Sequence, residues 1–275
     1  MTPRPDPTTA SHARRLDRAE WTLEVEDLFG GPDLDRDLWL PWYLPHWSSR
    51  ARSAARYDLG PTGLRLRIDA DQPPWNPEMD GAVRVSSLQT GQFSGPEGSR
   101  VGQHRFRDGL TVREAQPNVA LYAPRYRLIE LVARMPDDPD AMAALWMIGY
   151  EDEPERSAEI CVCEVFGRDV RSGSAVVGVG LHPFGDPAIR DDFARPTVAI
   201  DVREPHSYAA AWTPDQVAFY VDDRPIHVVP QSPAYPMQVM LSLYDFRAPD
   251  AEPDPARHPK VFAVEAVRAY RRAGG

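Results

Sequence analysis

Lysine is almost absent from this sequence: Lys260 is the only one, and arginine supplies the rest of the 31 basic residues. That bias reads as the coding preference of a GC-rich genome and carries no recognition signal. Cysteine is scarce too, with Cys161 and Cys163 alone in 275 residues. Side chains two positions apart on one strand are too widely spaced for a disulfide, which needs Cβ atoms about 3.5–4.5 Å apart. Free thiols and a reducing compartment are therefore expected. Cys161, Cys163 and His182 together would leave zinc short of ligands, and no metal or other cofactor is expected. Positive charge is in deficit as well. The formal net charge is −10 and the pI about 5.2, which argues against a nucleic-acid surface or an anionic membrane face. The same charge weakly disfavours sulfated or uronic polymers as ligands. No catalytic triad, phosphate loop or dinucleotide fingerprint is present, and Gly178-Val179-Gly180 lacks the rest of any nucleotide motif. No long segment has a helical period, and none repeats.

Residues 1–18 are polar, rich in proline, threonine and arginine, and lack the apolar core of a signal peptide or membrane segment. They read as a disordered tail on a single domain spanning 19–272. A cytoplasmic location is expected, or a secreted one if a leader has been removed, and a monomer. From Trp21 onward short apolar runs alternate with turn-rich segments, the pattern of a sandwich or barrel. Residues 64–68 alternate cleanly, and 127–133, 175–181, 197–202, 216–222, 238–244 and 261–270 are further candidate strands. The 29 prolines fall in the connections, and Asp222-Asp223-Arg224-Pro225 reads as a hairpin turn. A chain of this length can bury a large core. An all-β jelly-roll sandwich of two antiparallel sheets accounts for the whole pattern.

The chemistry gathers in residues 158–167. Glu159 and Glu164 interrupt an apolar, β-branched run that reads as a buried strand. A carboxylate there is costly unless it is paired or faces a cleft. In a regular strand Glu159, Cys161 and Cys163 share one face and Glu164 points away. One inserted residue, a β-bulge, brings Glu164 round to the side of Glu159. Two carboxylates on one face suit a retaining glycosidase, whose nucleophile and acid/base stand about 5–5.5 Å apart. The bland alternative is two solvated side chains on a helix or loop.

The motif resembles that of glycoside hydrolase family 16, β-glucanases and related enzymes built on a concanavalin A-like jelly roll. One branch of that family carries a bulged Glu-x-Asp-x-x-Glu, which stands here as Glu159-Ile160-Cys161-Val162-Cys163-Glu164. Ala144-Leu145-Trp146-Met147-Ile148-Gly149 is similar to the tryptophan-bearing strand before it. His206-Ser207-Tyr208-Ala209, Trp212-Thr213-Pro214-Asp215 and Phe219-Tyr220-Val221-Asp222 resemble the segment ahead of the late hairpin. Asp27-Leu28-Phe29-Gly30-Gly31, Leu38-Trp39 and residues 262–270 resemble the family's opening and closing strands, so the likeness runs from Trp21 to Arg271. It implies Glu159 as nucleophile, Glu164 as acid/base, Trp146 as a sugar platform and His182 as a cleft histidine near Glu164. His206 matches a packing or hydrogen-bonding position. Cys161 departs from the family's aspartate. A thiol is a weak donor and neutral near pH 7, so Cys161 takes the helper position without the charge, and Glu164 loses one push upward in pKa.

Two proline-rich loops, 41–47 and 73–77, carry Trp42, Trp47 and Trp75. Such faces stack on sugar rings, or else plug a sandwich end. Residues 94–114 read as a surface insertion and 151–156 as a solvated, charged turn. The resemblance implies a retaining glycoside hydrolase of β-linked polysaccharide or oligosaccharide, with carbohydrate as the expected partner. β-1,3-Glucan is the leading substrate, because the bulged motif is common among enzymes cutting that linkage, and galactan is its rival. The alternatives are a carbohydrate-binding homologue silenced at Cys161, or a transglycosylase with the same intermediate and a sugar acceptor.

Overall fold

The computed structural model describes residues 14–248 and 254–274. Two antiparallel sheets enclose one large apolar core. The back sheet runs in the order Arg224–Val229, Val217–Val221, His206–Trp212, Leu128–Arg134, Lys260–Arg272, Gly63–Ile68, Arg56–Gly60. Trp21–Asp27 pairs with the far half of Lys260–Arg272, from Arg272 to Val267. The front sheet runs Asp192–Ala194, Gly178–His182, Glu159–Phe166, Ala141–Gly149, Met237–Asp245, Arg84–Gln89. This is the expected all-β jelly-roll sandwich.

Alternation decides which way each side chain faces. Leu64, Leu66 and Ile68 enter the intersheet core while Arg65 is exposed. Ala141–Gly149 and Met237–Asp245 are buried at every position because both of their faces are covered. Ala143, Leu145 and Met147 meet the back sheet, whereas Ala144, Trp146 and Ile148 join a second apolar cluster beneath the loops that carry Tyr43, Leu44, Trp47 and Trp75. Each large apolar side chain so buried contributes roughly 1.5–3 kcal/mol.

The hairpin turn forms at Asp222 and Asp223, whose φ values of 49° and 61° supply the left-handed pair that a two-residue connection needs. Asp222 tolerates this by accepting from the Ser207 N–H at 3.1 Å and by bonding His206 at 2.7 Å. His206 also meets the Asp201 carbonyl at 3.1 Å, so its role is structural.

Besides the strand expected at 197–202, which forms only at Thr197–Val198, two boundaries differ from expectation. The single strand expected at 175–181 turns a corner, giving Ser174–Val176 in a small separate sheet with Thr197–Val198 and Gly178–His182 in the front sheet. Ala175, Val177 and Val179 all stay in the core across that corner, which is why the apolar pattern looks unbroken. The second concerns the tail. Residues 1–13 lie outside the described residues, but within 14–18 Leu16 is buried and the segment is anchored. The Leu16 N–H donates to the Asp223 carbonyl at 3.0 Å, and Arg18 pairs with Asp223 and with Glu130. Glu130 is almost fully buried, and a carboxylate at that depth requires a cation.

Candidate active site

The bulge in Glu159–Phe166 is present. On one side Trp146 pairs with Cys161 and Leu145 with Cys163, leaving Val162 as the extra residue. The other neighbour skips at the same place, with Gly178 opposite Glu164 and Gly180 opposite Cys161. Val162 and Cys163 both drop into the intersheet core, and Glu159, Cys161 and Glu164 line one cleft together. The two thiols thus face opposite ways and are free. Glu159 sits opposite Ile148 and Glu164 opposite Ala144, four residues along the partner strand. That is roughly 13 Å of backbone, with Cys161 between them on the same cleft wall. Gly178 makes room for this: a Cβ there would stand 2.5 Å from Glu164 Cγ and 2.8 Å from the Phe193 ring.

The cleft has a volume of about 260 Å³, and Trp146, His182, His104, Phe184 and Tyr244 complete its wall. Trp146 Nε1 donates to Ser242 Oγ at 3.0 Å, and Ser242 bonds Ser87 at 2.8 Å, which fixes the indole plane. His182 Nδ1 bonds Asp191 at 2.7 Å while its ring stacks on Phe193 at 4.6 Å.

Three of the expected sugar-contact tryptophans are elsewhere. Trp47 and Trp75 are 0% and 1% exposed. Trp47 Nε1 donates to the Gln103 carbonyl at 2.7 Å, and Trp75 Nε1 to Asp80 at 2.9 Å with its ring edge-on to Tyr43 at 4.8 Å. No sugar ring reaches either. Trp42 is half-buried outside the cleft, bonded to Gln92 and lying 4.4 Å beneath the Arg50 guanidinium. The proline-rich loops use these rings as their own core, because a long connection stays ordered only by burying apolar area of its own.

Residues that went unmarked in the sequence close one end of the cleft. The 94–114 segment folds over the front sheet, where Gln103 donates to the Gly149 carbonyl at 3.2 Å and to Gln238 at 2.8 Å. His104 then sets its ring 5.1 Å from Trp146 and 4.7 Å from Phe184. Glu151, expected in a solvated turn, is buried and accepts from the His104 N–H at 2.5 Å. His104, Glu151 and Phe184 all adopt left-handed backbone, with φ of 54°, 57° and 43°. Strain of this kind concentrates where a site must be shaped. A lone histidine in a glycine-rich, charged stretch carries no periodicity that would have revealed it.

The electrostatics follow from burial. Glu159 is pushed up to about 8, first by burial and then by the charge of Glu164. Burial also raises Glu164, but Arg195, His182 and Arg168 oppose it. Burial and the two glutamates drive the Cys161 thiol well above its usual range, so it stays neutral. The Glu159 carboxyl therefore keeps its proton near neutrality in the free protein. The Arg195 and Arg168 guanidinium groups act on Glu164 and not on Glu159, so the proton favours Glu159. Burial pulls His104 down to about 3, leaving its ring neutral, and pushes Glu151 up to about 8. Among the described residues no cluster of three or more His, Cys, Asp or Glu is placed to hold a metal ion, and no helix is long and apolar enough to cross a membrane.

Comparison with known proteins gives a family and a fold. Residues 124–258 match the model of glycosyl hydrolases family 16. A search of curated proteins finds no match. Among solved structures, the GlcNAcα1-4Gal-releasing endo-β-galactosidase from Clostridium perfringens is 26% identical with a TM-score of 0.80, over 96% of this chain and 66% of that one. This chain therefore spans just under two thirds of that enzyme. The endo-β-1,3-glucanase from Pyrococcus furiosus is 17% identical with a TM-score of 0.63, over 93% of this chain and 96% of that one. The laminarinase from Rhodothermus marinus is 17% identical with a TM-score of 0.64, over 92% and 98%. The last two likenesses are of fold alone.

Proposed function

We propose, from the match of residues 124–258 to the model of glycosyl hydrolases family 16, that the protein is a retaining glycoside hydrolase acting on a β-linked polysaccharide or oligosaccharide. The observation that carries this is the bulge, which turns Glu159 and Glu164 onto one face of one cleft beside Trp146. Glu159 attacks the anomeric carbon and forms a glycosyl-enzyme bond while Glu164 gives its proton to the departing oxygen. Glu164 then takes a proton from water, whose oxygen attacks the anomeric carbon from the face the leaving group vacated, opposite Glu159, and releases the Glu159 carboxylate with net retention. A sugar stacked on Trp146 excludes water from Glu164 and raises it further, so that the proton passes from Glu159 to Glu164 and leaves Glu159 ionised for attack. A β-galactoside is favoured over β-1,3-glucan as substrate, because the greater similarity is to an endo-β-galactosidase.

A second reading, a carbohydrate-binding homologue without turnover, is favoured by Cys161 in the helper position and by the proton resting on Glu159 in the free protein. The deciding experiment is hydrolysis of β-galactan, β-1,3-glucan and β-1,3/1,4-glucan oligosaccharides by the parent and by Glu159→Gln. Turnover by the parent that disappears in the variant supports the hydrolase. No turnover of any sugar, with saturable binding of one, overturns it in favour of the binding protein. Restored turnover in Cys161→Asp would then assign the silence to that position.

A further inference from the structure

A second cavity, of about 240 Å³, opens beside the cleft, and Phe184 forms the wall common to both. Arg100, Arg105 and Arg107 line it, together with Asp108, Ser157 and the buried Glu151. In this chain of net charge −10 some arginines, Arg56, Arg127, Arg134, Arg257 and Arg268 among them, each pair with a carboxylate, and others do not. Arg100 and Arg105 make no ion pair with any described residue, and Arg107 gives a hydrogen bond to the Met79 carbonyl. Glu151, raised to about 8 although Arg105 acts on it, carries little charge at neutral pH, Asp108 is the other carboxylate on the wall, and Arg107 also acts on Asp80.

We propose that this pocket is a subsite for an anionic substituent, a carboxylate or a sulfate ester, on the sugar chain occupying the cleft. A chain lying on Trp146 and passing Phe184 brings its next residue to the arginines. The planar guanidinium fork matches the paired oxygens of either group bidentately. The negative charge of the whole protein does not oppose this, because charges beyond about 8 Å are screened at physiological salt and the nearest groups set the local potential. The inference rests on the carbohydrate reading above and narrows its substrate class.

The test is titration calorimetry at low salt with four forms of one backbone: chondroitin tetrasaccharide, its 4-sulfated form, and the carboxyl-reduced version of each. These carry carboxylate alone, both groups, sulfate alone or neither. The expected result is that at least one charged form binds roughly tenfold more tightly than the neutral one, the scale of one well-made charge-assisted contact. That preference shrinks with salt and disappears in the double variant Arg100→Ala/Arg105→Ala, whose binding of the neutral form is unchanged. The single-anion arms tell carboxylate from sulfate. Equal binding of charged and neutral forms, no binding of any charged form, or a preference that persists in the double variant would overturn the proposal. The two readings fail separately. Turnover of a neutral β-linked sugar without an arginine-dependent preference sinks the subsite alone, and arginine-dependent binding without turnover of any sugar sinks the hydrolase alone.

Discussion

Glu159→Gln should make the protein more stable, and only above a certain pH. The Glu159 carboxyl ionises near pH 8 in the fold, against about 4.5 when unperturbed, chiefly because it is buried. Below pH 4.5 both states hold the proton and the residue is neutral with respect to folding. Above it the unfolded chain releases the proton while the fold retains it, so stability falls by about 1.4 kcal/mol per pH unit until the folded group also ionises. Carried to pH 8 this amounts to an upper bound of roughly 4–5 kcal/mol, and to roughly 2–4 kcal/mol once the solvent-facing edge of the cleft is allowed for. Glutamine keeps the shape and has no charge to desolvate. Urea unfolding of parent and variant at pH 5 and pH 8 measures the difference, and the contributions of Glu151 and most other groups cancel in the comparison. A gain for Glu159→Gln several-fold larger at pH 8 than at pH 5 is expected. The same gain at both pH values would refute the burial argument.

Gly178→Ala drives a methyl group into Glu164 and the Phe193 ring, so kcat on the best sugar should fall roughly a hundredfold while the unfolding midpoint moves little; an unchanged kcat would show that Glu164 needs no such room. Trp75→Ala removes a fully buried side chain outside the cleft, so it should cost about 3–5 kcal/mol by denaturant titration without changing the sugar affinity of the folded protein; a selective loss of affinity would return Trp75 to the binding site. Arg18→Ala strips a cation from buried Glu130, leaving Arg268 at 3.5 Å and the Tyr270 hydroxyl at 3.0 Å. A stability loss of roughly 2–3 kcal/mol is expected, and none would mean that residues 14–18 are a tail after all.

The sandwich was legible because its strands alternate or run continuously apolar over short, proline-punctuated lengths, and such patterns act locally. The break at Val177 was not, since a strand that turns a corner keeps its apolar side on the core throughout. The carboxylate pair was legible for a different reason: an odd spacing within a buried run makes sense only with a bulge, and the bulge is where the register shifts. The tryptophans misled, because a ring that stacks on sugar and a ring that plugs a loop have the same composition and the same neighbours in sequence. His104, Glu151 and the arginine pocket left no trace, since the groups that meet there come from separate loops.

The sequence by itself determined the all-β class, the faces of the strands and the pairing of Glu159 with Glu164, all of which depend on spacing within about ten residues. Only the tertiary structure decided which aromatics reach the cleft, which cations lie beside Glu164 and where unpaired arginines gather. Those depend on loops distant in sequence folding over one sheet, and Coulomb and packing forces act on separation in space, whatever the separation along the chain.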